Sequence, residues 1–451
     1  MEIDSSTVLA KARGAFTVEV DGVTVALNVE DGVCYALNTT TASMWRMADE
    51  PVGFGDMCDN LVAQFNVTRD VCEAQAREAL YGLIRTGLLV QSSGGPLRTV
   101  RAASQGSGVE ALIASVEGKP RAMLNLCRTF LQRRGMHGLA RQICERAVAL
   151  TPEDRETLAL AYRIRSGGVE PSYFNNILDD ARNSAYAAGL RKVLRPGCTV
   201  LEIGSGSALF AMIAVREGAG KVVSCERNPA VASAAREVVA RNELTSKITI
   251  LTKDARDIRV GVDLEQPADV LLWDNLSNNL IGAGGPSAVD DARRRLLSPD
   301  AQIIPGRVEI RAALAQDLAP RKRAMGEVEG FDLSPFNRLR RTNLRIPWTE
   351  LALQSDPVTL FDYDFESTGT PPWAASGVVS AHGGPVDGVV QWLRFHLAED
   401  VIYDTGASDT PAFGKQFHVL APAEFAAGSQ VSICARRDER YIWFWATPHQ
   451  P

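Results

Sequence analysis

The residues best placed to do chemistry are two glycines, Gly204 and Gly206, and the carboxylate of Glu226, 22 positions after Gly204. An apolar run with strand character, Val200, Leu201 and Ile203, leads into the glycines, and an apolar helix, Leu209 to Val215, leaves them. Glycines let a backbone turn sharply and come close to a ligand with no Cβ in the way. A second strand-like run, Lys221–Cys225, delivers Glu226 at its end, where a carboxylate can accept both hydroxyls of a ribose. The spacing is near the ~20 residues found in dinucleotide sites. A dinucleotide fold also wants a third glycine beside the pyrophosphate, and that position is Leu209. A bulky residue there favours a nucleoside ligand without phosphate, namely S-adenosylmethionine. Ser205 completes the turn, and Asp254 with Ala255 follows the third strand, where the adenine amino group would lie.

The methyl-accepting end follows from the fourth strand, Ala268–Asp274, which runs into a polar loop from Asn275 to Pro286. Ligands of open α/β sheets bind beyond the carboxyl ends of the strands. Methyl transfer needs a nucleophile held in line, about 3 Å from the carbon, and little acid–base help unless that nucleophile must lose a proton. Asp274 is expected to orient an N–H or take its proton, with Asn275 and Tyr173 as further catalytic candidates. Asn278 and Asn279 would hydrogen-bond a neutral amide or imidazole, and Trp273 would bound the substrate pocket. Glu202, just before the glycines, resembles the acidic residue of class I methyltransferases.

Four segments position these groups, and the expected class is multidomain α+β. Residues 1–91 give short strands (15–20, 23–27, 34–37) separated by Asp-Gly hairpin turns, then three helices and a wing strand at 88–90, a winged-helix pattern. Residues 92–169 begin with a Gly/Ser-rich linker and continue as helices, Arg121–Arg134 and His137–Leu150. Ala140, Ala147 and Pro152 fit half of a tetratricopeptide (TPR-like) unit. These helices are expected to act as a spacer. Residues 170–305 form the Rossmann-like core and residues 306–451 a strand-rich β-barrel.

The chain as a whole sets limits. Its 451 residues carry a net charge of −6, so it has no global attraction for nucleic acid or anionic membrane. The eight cysteines form no C-x-x-C pair and mostly sit in apolar runs, which points to reduced thiols and a cytoplasmic protein. Five scattered histidines give no metal-ligand spacing, and neither a signal peptide nor a membrane span is expected.

Two resemblances sharpen this reading. Tyr35–Trp45, Phe65–Val67 and Gly87–Val90 resemble the PqqD-like domains. This implies recognition of the leader of a ribosomally made precursor peptide, added as an edge strand to the sheet. From Tyr173 to Trp445 the chain resembles the protein arginine methyltransferases. Tyr173-Phe174 and Ile177–Tyr186 are similar to their helical lid, and Leu280–Gly282, Phe331–Asn337 and Ser355–Phe361 to further segments. The resemblance implies that Arg182 pairs with the methionine carboxylate of the cofactor. It also implies a homodimer joined through an arm within residues 321–356.

The departures bear on the acceptor. Of the family's two clamping glutamates, one position holds Asp274 and the other Ala283. The Thr-His-Trp element falls on Pro411-Ala-Phe413, which makes Phe413 a substrate-side candidate. One carboxylate does not hold a guanidinium at both ends, so a smaller nitrogen is expected as acceptor, with Asp290 or Asp291 as possible substitutes for the missing acid. The alternatives are a host-protein arginine methyltransferase and an inactive leader-binding scaffold.

Overall fold

The computed structural model describes residues 3–93, 103–169, 172–274, 280, 285–320, 324–367, 372–407, 415–438 and 441–450. It divides into two compact units, residues 1–169 and 170–451.

In the first unit, β2 (Ala15–Val20) and β3 (Val23–Asn28) pair as a hairpin, and Phe16, Val18, Val25 and Leu27 form an apolar face covered by helices. Before it lies β1 (Thr7–Lys11), an element the sequence reading missed. After it come β4 (Cys34–Ala36), α1 (Thr39–Met47), β5 (Val52–Gly53), α2 (Phe54–Phe65), α3 (Arg69–Arg85) and β6 (Leu89–Ser93). The Asn38 side chain accepts from the Thr41 N–H at 2.8 Å and so caps α1. The expected wing strand is β6, which pairs antiparallel with β1 in a sheet ordered β5-β1-β6. A second sheet is ordered β4-β3-β2-β7. Its last member, β7 (Ala103–Ser107), comes from the expected linker and joins β2 in parallel.

Four helices follow: α4 (Gly108–Val116), α5 (Pro120–Leu126), α6 (His137–Leu150) and α7 (Arg155–Arg165). The helix expected over 121–134 changes character on the way: α5 passes into a π-turn, Cys127–Leu131, and then a 3₁₀ turn, Gln132–Arg134. There is no break in the core between the expected 1–91 and 92–169 segments. Phe16, Val18, Val25 and Leu27 are buried in one cluster with Leu112, Leu124, Ile143 and Ile164. Gly32 shows how close the two parts lie. Its φ is +68°, and a Cβ there would sit 2.1 Å from the Ala122 carbonyl oxygen.

The second unit opens with α8 (Ser172–Ile177) and α9 (Asp180–Val193). Then strands and helices alternate: β8 (Thr199–Ile203), α10 (Leu209–Arg216), β9 (Lys221–Cys225), α11 (Pro229–Arg241), β10 (Ile248–Leu251), β11 (Ala268–Trp273), α12 (Gly285–Arg295) and β12 (Leu297–Ile304). The sheet is parallel throughout, in the order β10-β9-β8-β11-β12. Chain order reverses between β8 and β11, and the crevice outside such a switch point is where ligands bind.

The remaining chain is antiparallel. The long strand β13 (Arg307–Asp317) begins it, and a short hairpin, β14 (Glu327–Val328) with β15 (Phe331–Asp332), follows. After β16 (Asn343–Arg345), β17 (Leu351–Leu353), β18 (Val358–Asp364) and β19 (Ala374–Ser380) come β20 (Gly384–Ala398), β21 (Val401–Asp404), β22 (Gln416–Phe425), β23 (Gln430–Arg437) and β24 (Ile442–Pro448). Most of these form a seven-stranded sheet around β13 and β20, and β19, β23 and β24 form a three-stranded one. Val308, Phe361, Leu393, Ile433 and Phe444 join the parallel-sheet core in one apolar cluster. Helix α9 is tied into this region by its N-cap, Asp179, whose carboxylate accepts the Tyr403 hydroxyl at 2.8 Å.

Candidate active site

A cavity of about 750 Å³ opens at the carboxyl ends of β8, β9, β10 and β11. That volume lies within the ~300–1,000 Å³ usual for small-molecule sites. Its floor is the turn after β8. Gly204 and Gly206 adopt φ of +86° and +48°, a region L-residues avoid. The Gly204 and Ser205 N–H groups both bond the Cys225 carbonyl, at 2.9 and 3.0 Å, which fixes the turn against β9. The Ser205 hydroxyl is buried and has no hydrogen-bond partner among the described residues, so it is available to a ligand in the cavity it lines.

Glu226 closes β9 and lines the same cavity, 4% exposed. The Asn228 N–H donates to its Oε1 at 2.8 Å and orients the carboxylate. Glu202 is 3% exposed, and burial pushes its carboxyl up to about 8, against the hydrogen bond it accepts from Ser224. Asp254 and Ala255 line the adjoining wall. Both Asp254 oxygens are taken by Arg256, at 2.8 and 2.9 Å, and this partner holds the carboxyl down to about 2.

Arg182 and Asp274, assigned separate tasks from the sequence, form one buried ion pair, their side chains 7% and 9% exposed. Arg182 also donates to the Asn176 carbonyl at 3.0 Å and the Asn183 side chain at 3.2 Å. Its Nε is buried and has no hydrogen-bond partner among the described residues. Its guanidinium lies 4.3 Å from the Phe210 ring centroid. Burial pulls the guanidinium down, but Asp274 and Tyr186 outweigh it, so its proton is held more tightly than usual. Tyr186, fully buried and stacked on Phe210 at 4.4 Å, donates its hydroxyl to the other Asp274 oxygen at 2.6 Å. Burial first, and the Asp274 charge second, raise that phenol well above its ordinary range.

The cavity therefore gathers Tyr173, Arg182, Glu202, Gly204, Ser205, Gly206, Glu226, Asp254, Ala255 and Asp274 from the residues expected from sequence. Trp273 is a correction: it is 1% exposed, gives its indole N–H to the Pro305 carbonyl at 3.2 Å and packs edge-on against Phe365. Side chains alternate along a strand, so its neighbour Asp274 faces the cavity and Trp273 the core. Asn275, Asn278, Asn279, Ala283 and Phe413 lie outside the described residues. Of the two substitute acids, Asp291 lines the cavity but is held by Arg295 at 2.8 Å, and exposed Asp290 pairs with Arg293 at 3.4 Å. Sequence reasoning missed Tyr186, Phe210, Arg227 and Lys253. The first was legible, since Tyr186 stands four positions after Arg182 on the same helix face.

The donor set fits an adenosyl amino acid. There is a strand-end carboxylate for a ribose, a hydroxyl at the glycine turn with no partner among the described residues, and a buried guanidinium whose Nε has none there either. Among the described residues no group of three or more His, Cys, Asp or Glu side chains is arranged to hold a metal, and no helix is long and apolar enough to cross a membrane.

In the first unit the outer edge of β4 is the comparable feature. The Cys34 N–H points away from β3 and is accepted by the Thr129 hydroxyl at 3.1 Å, whereas the Leu37 N–H turns inward to the Thr24 carbonyl at 2.9 Å. By strand alternation the Ala36 N–H points outward.

Comparison with known proteins fits both regions. Residues 24–89 match the family described as Coenzyme PQQ synthesis protein D (PqqD), and residues 187–282 match Ribosomal protein L11 methyltransferase (PrmA). An Arginine N(omega)-methyltransferase of Streptomyces achromogenes subsp. streptozoticus is 30% identical over 268 residues, 57% of this chain and 74% of that protein. Protein arginine N-methyltransferase 7 of Drosophila melanogaster is 29% identical over 252 residues, half of this chain but 36% of the relative, so the chain spans about a third of that protein's length. A structure of the Trypanosoma brucei PRMT1 enzyme-prozyme heterotetrameric complex with AdoHcy shares the fold, with a TM-score of 0.52 and 20% identity over 58% of this chain and 86% of its own.

Proposed function

Because the chain belongs to the arginine methyltransferase family and carries a PqqD domain at its N-terminus, we propose that it is an S-adenosylmethionine-dependent methyltransferase acting on a peptide captured by that domain. The observation that carries the cofactor reading is the cavity itself. It joins Glu226, the Gly204–Gly206 turn with its buried Ser205 hydroxyl, and Arg182 at the switch point of the sheet. Glu226 would accept from the ribose, the turn would approach the amino acid portion, and the buried Nε of Arg182 would meet its carboxylate. When bound, the cofactor supplies an electrophilic methyl group, and the protein's own residues have to hold the acceptor in line with it.

Asp274 is the acid at the cavity wall, and Arg182 and Tyr186 fix its two oxygens. A carboxylate so engaged orients an acceptor N–H with its remaining lone pairs. Position 283 offers only alanine, so two-ended gripping of a guanidinium lacks its second acid. The acceptor proposed is therefore a smaller side-chain nitrogen of the peptide, such as that of Asn or His. Arginine is the second reading, favoured by the Streptomyces relative. Peptide capture is proposed at the β4 edge, where an extended segment would add to the sheet. A homodimer through the 321–356 arm is supported by the exposure of Phe331, Phe336 and Leu339, at 71%, 63% and 71%.

The test is methyl transfer from labelled S-adenosylmethionine to candidate peptides, with tandem mass spectrometry of the product. A methyl group on Asn or His is the expected result. Methyl on arginine would replace the acceptor assignment and leave the cofactor site standing.

A further inference from the structure

The helical half of the first unit contains a second cleft, between α5 with its π-turn and α7. Arg121, Asn125 and Arg128 line one wall and Glu156, Leu160 and Arg163 the other, around about 400 Å³. On each wall the spacing is i, i+4, i+7, so each trio lies on one helix face. Arg128 belongs to the π-turn, a local widening that recurs at functional sites.

The cleft is rich in unspent positive charge. Arg121 and Glu156 stand 3.5 Å apart with side chains 73% and 72% exposed, a contact that solvent screens heavily. Among the described residues the Arg128 guanidinium hydrogen-bonds only the side-chain Oδ1 of Asn125, at 3.3 Å, and Arg163 has no ion-pair partner at its guanidinium. Residues 108–166 carry ten Lys and Arg against six Asp and Glu, in a chain whose net charge is −6. The cleft also adjoins β4. Asn125 donates to the Asp31 carbonyl at 2.8 Å, and Thr129, beside Arg128, accepts the Cys34 N–H.

We propose that this cleft binds an acidic stretch of peptide, with its carboxylates paired to Arg128 and Arg163. Guanidinium groups suit carboxylates because their N–H forks match the two oxygens. A nucleic acid fits less well, because the lining has no aromatic ring for a base to stack on. The inference goes beyond the proposed methyltransferase function and does not need it, since it concerns only charge recognition on the helices.

The experiment uses the full chain and a fluorescein-labelled peptide of six glutamates, followed by fluorescence anisotropy in ~50 mM salt. Arg128→Glu and Arg163→Glu should each weaken binding by at least ~10-fold, and Arg163→Gln by a smaller factor. Arg133→Glu, an exposed arginine of the same segment outside the cleft, makes the same charge change and should shift affinity less than ~2-fold. Thermal melts followed by circular dichroism establish that each variant is folded. Equal loss in all the glutamate variants would mean diffuse attraction and overturn the site. Absence of binding to the wild type, or tighter binding of an oligothymidylate, would overturn it as well.

Discussion

Arg182 on α9 and Asp274 at the end of β11, 92 positions apart, form a buried ion pair at the wall of the cavity, and the Tyr186 hydroxyl completes it. Removing one partner of a buried pair leaves the other charged and desolvated, at a cost of about 3–5 kcal/mol. Arg182→Ala should therefore destabilise the chain by that order. The double variant with Asp274→Asn should recover part of the loss. Chemical denaturation of the single and double variants checks this; strictly additive effects would mean the two residues do not interact.

Asp274→Asn also separates holding the cofactor from using it. The amide keeps the size of the side chain but has no charge to orient or deprotonate an acceptor. Turnover should fall by at least ~100-fold while cofactor affinity holds within a small factor.

Tyr186→Phe keeps the stack on Phe210 and deletes the 2.6 Å bond to Asp274. A hydrogen bond to a charged group is worth about 1.5–3 kcal/mol. Stability should drop by that order, and kcat should fall with the cofactor KM nearly unchanged. A large rise in the cofactor KM would instead place the tyrosine in cofactor binding.

Glu226→Ala should weaken S-adenosylmethionine binding by about 1–3 kcal/mol, the value of charged hydrogen bonds to the ribose hydroxyls. Calorimetric titration reads this directly, and unchanged affinity would remove the carboxylate from the site.

Glu202 makes stability depend on pH. Its carboxyl is raised from 4.5 to about 8, so the folded chain holds a proton there that the unfolded chain releases between those values. The native state then binds more protons than the unfolded state, and stability falls as pH rises from about 4.5 to 8. Glu202→Gln should lose this contribution. Its melting temperature relative to the wild type should rise steadily between pH 5 and pH 8 without cofactor. A constant difference would show that Glu202 ionises normally in the fold.

Ala36→Pro tests peptide capture. Proline removes an outward N–H from the edge strand β4 and leaves the inward bond of Leu37 in place. The KM for a peptide substrate should rise by roughly 10-fold with kcat and cofactor affinity preserved. An unchanged KM would move capture away from this edge.

The sequence by itself determined the β8–α10–β9 unit and its chemistry, because a glycine turn and a strand-end acid are local features whose roles follow from backbone geometry. It also determined the strands and helices with clean periodicity, such as β2, β3, α6 and β11. It did not show that β1 pairs with β6, or that the supposed linker supplies β7, since pairing partners far apart leave no local pattern. Trp273 looked like a pocket residue and Asp274 like an isolated acid. Only the packed structure put the indole in the core and gave the carboxylate to Arg182 and Tyr186. Likewise the cleft lined by Arg121, Arg128 and Arg163 left no sequence signal, because a cleft exists only when two helix faces, here those of α5 and α7, meet.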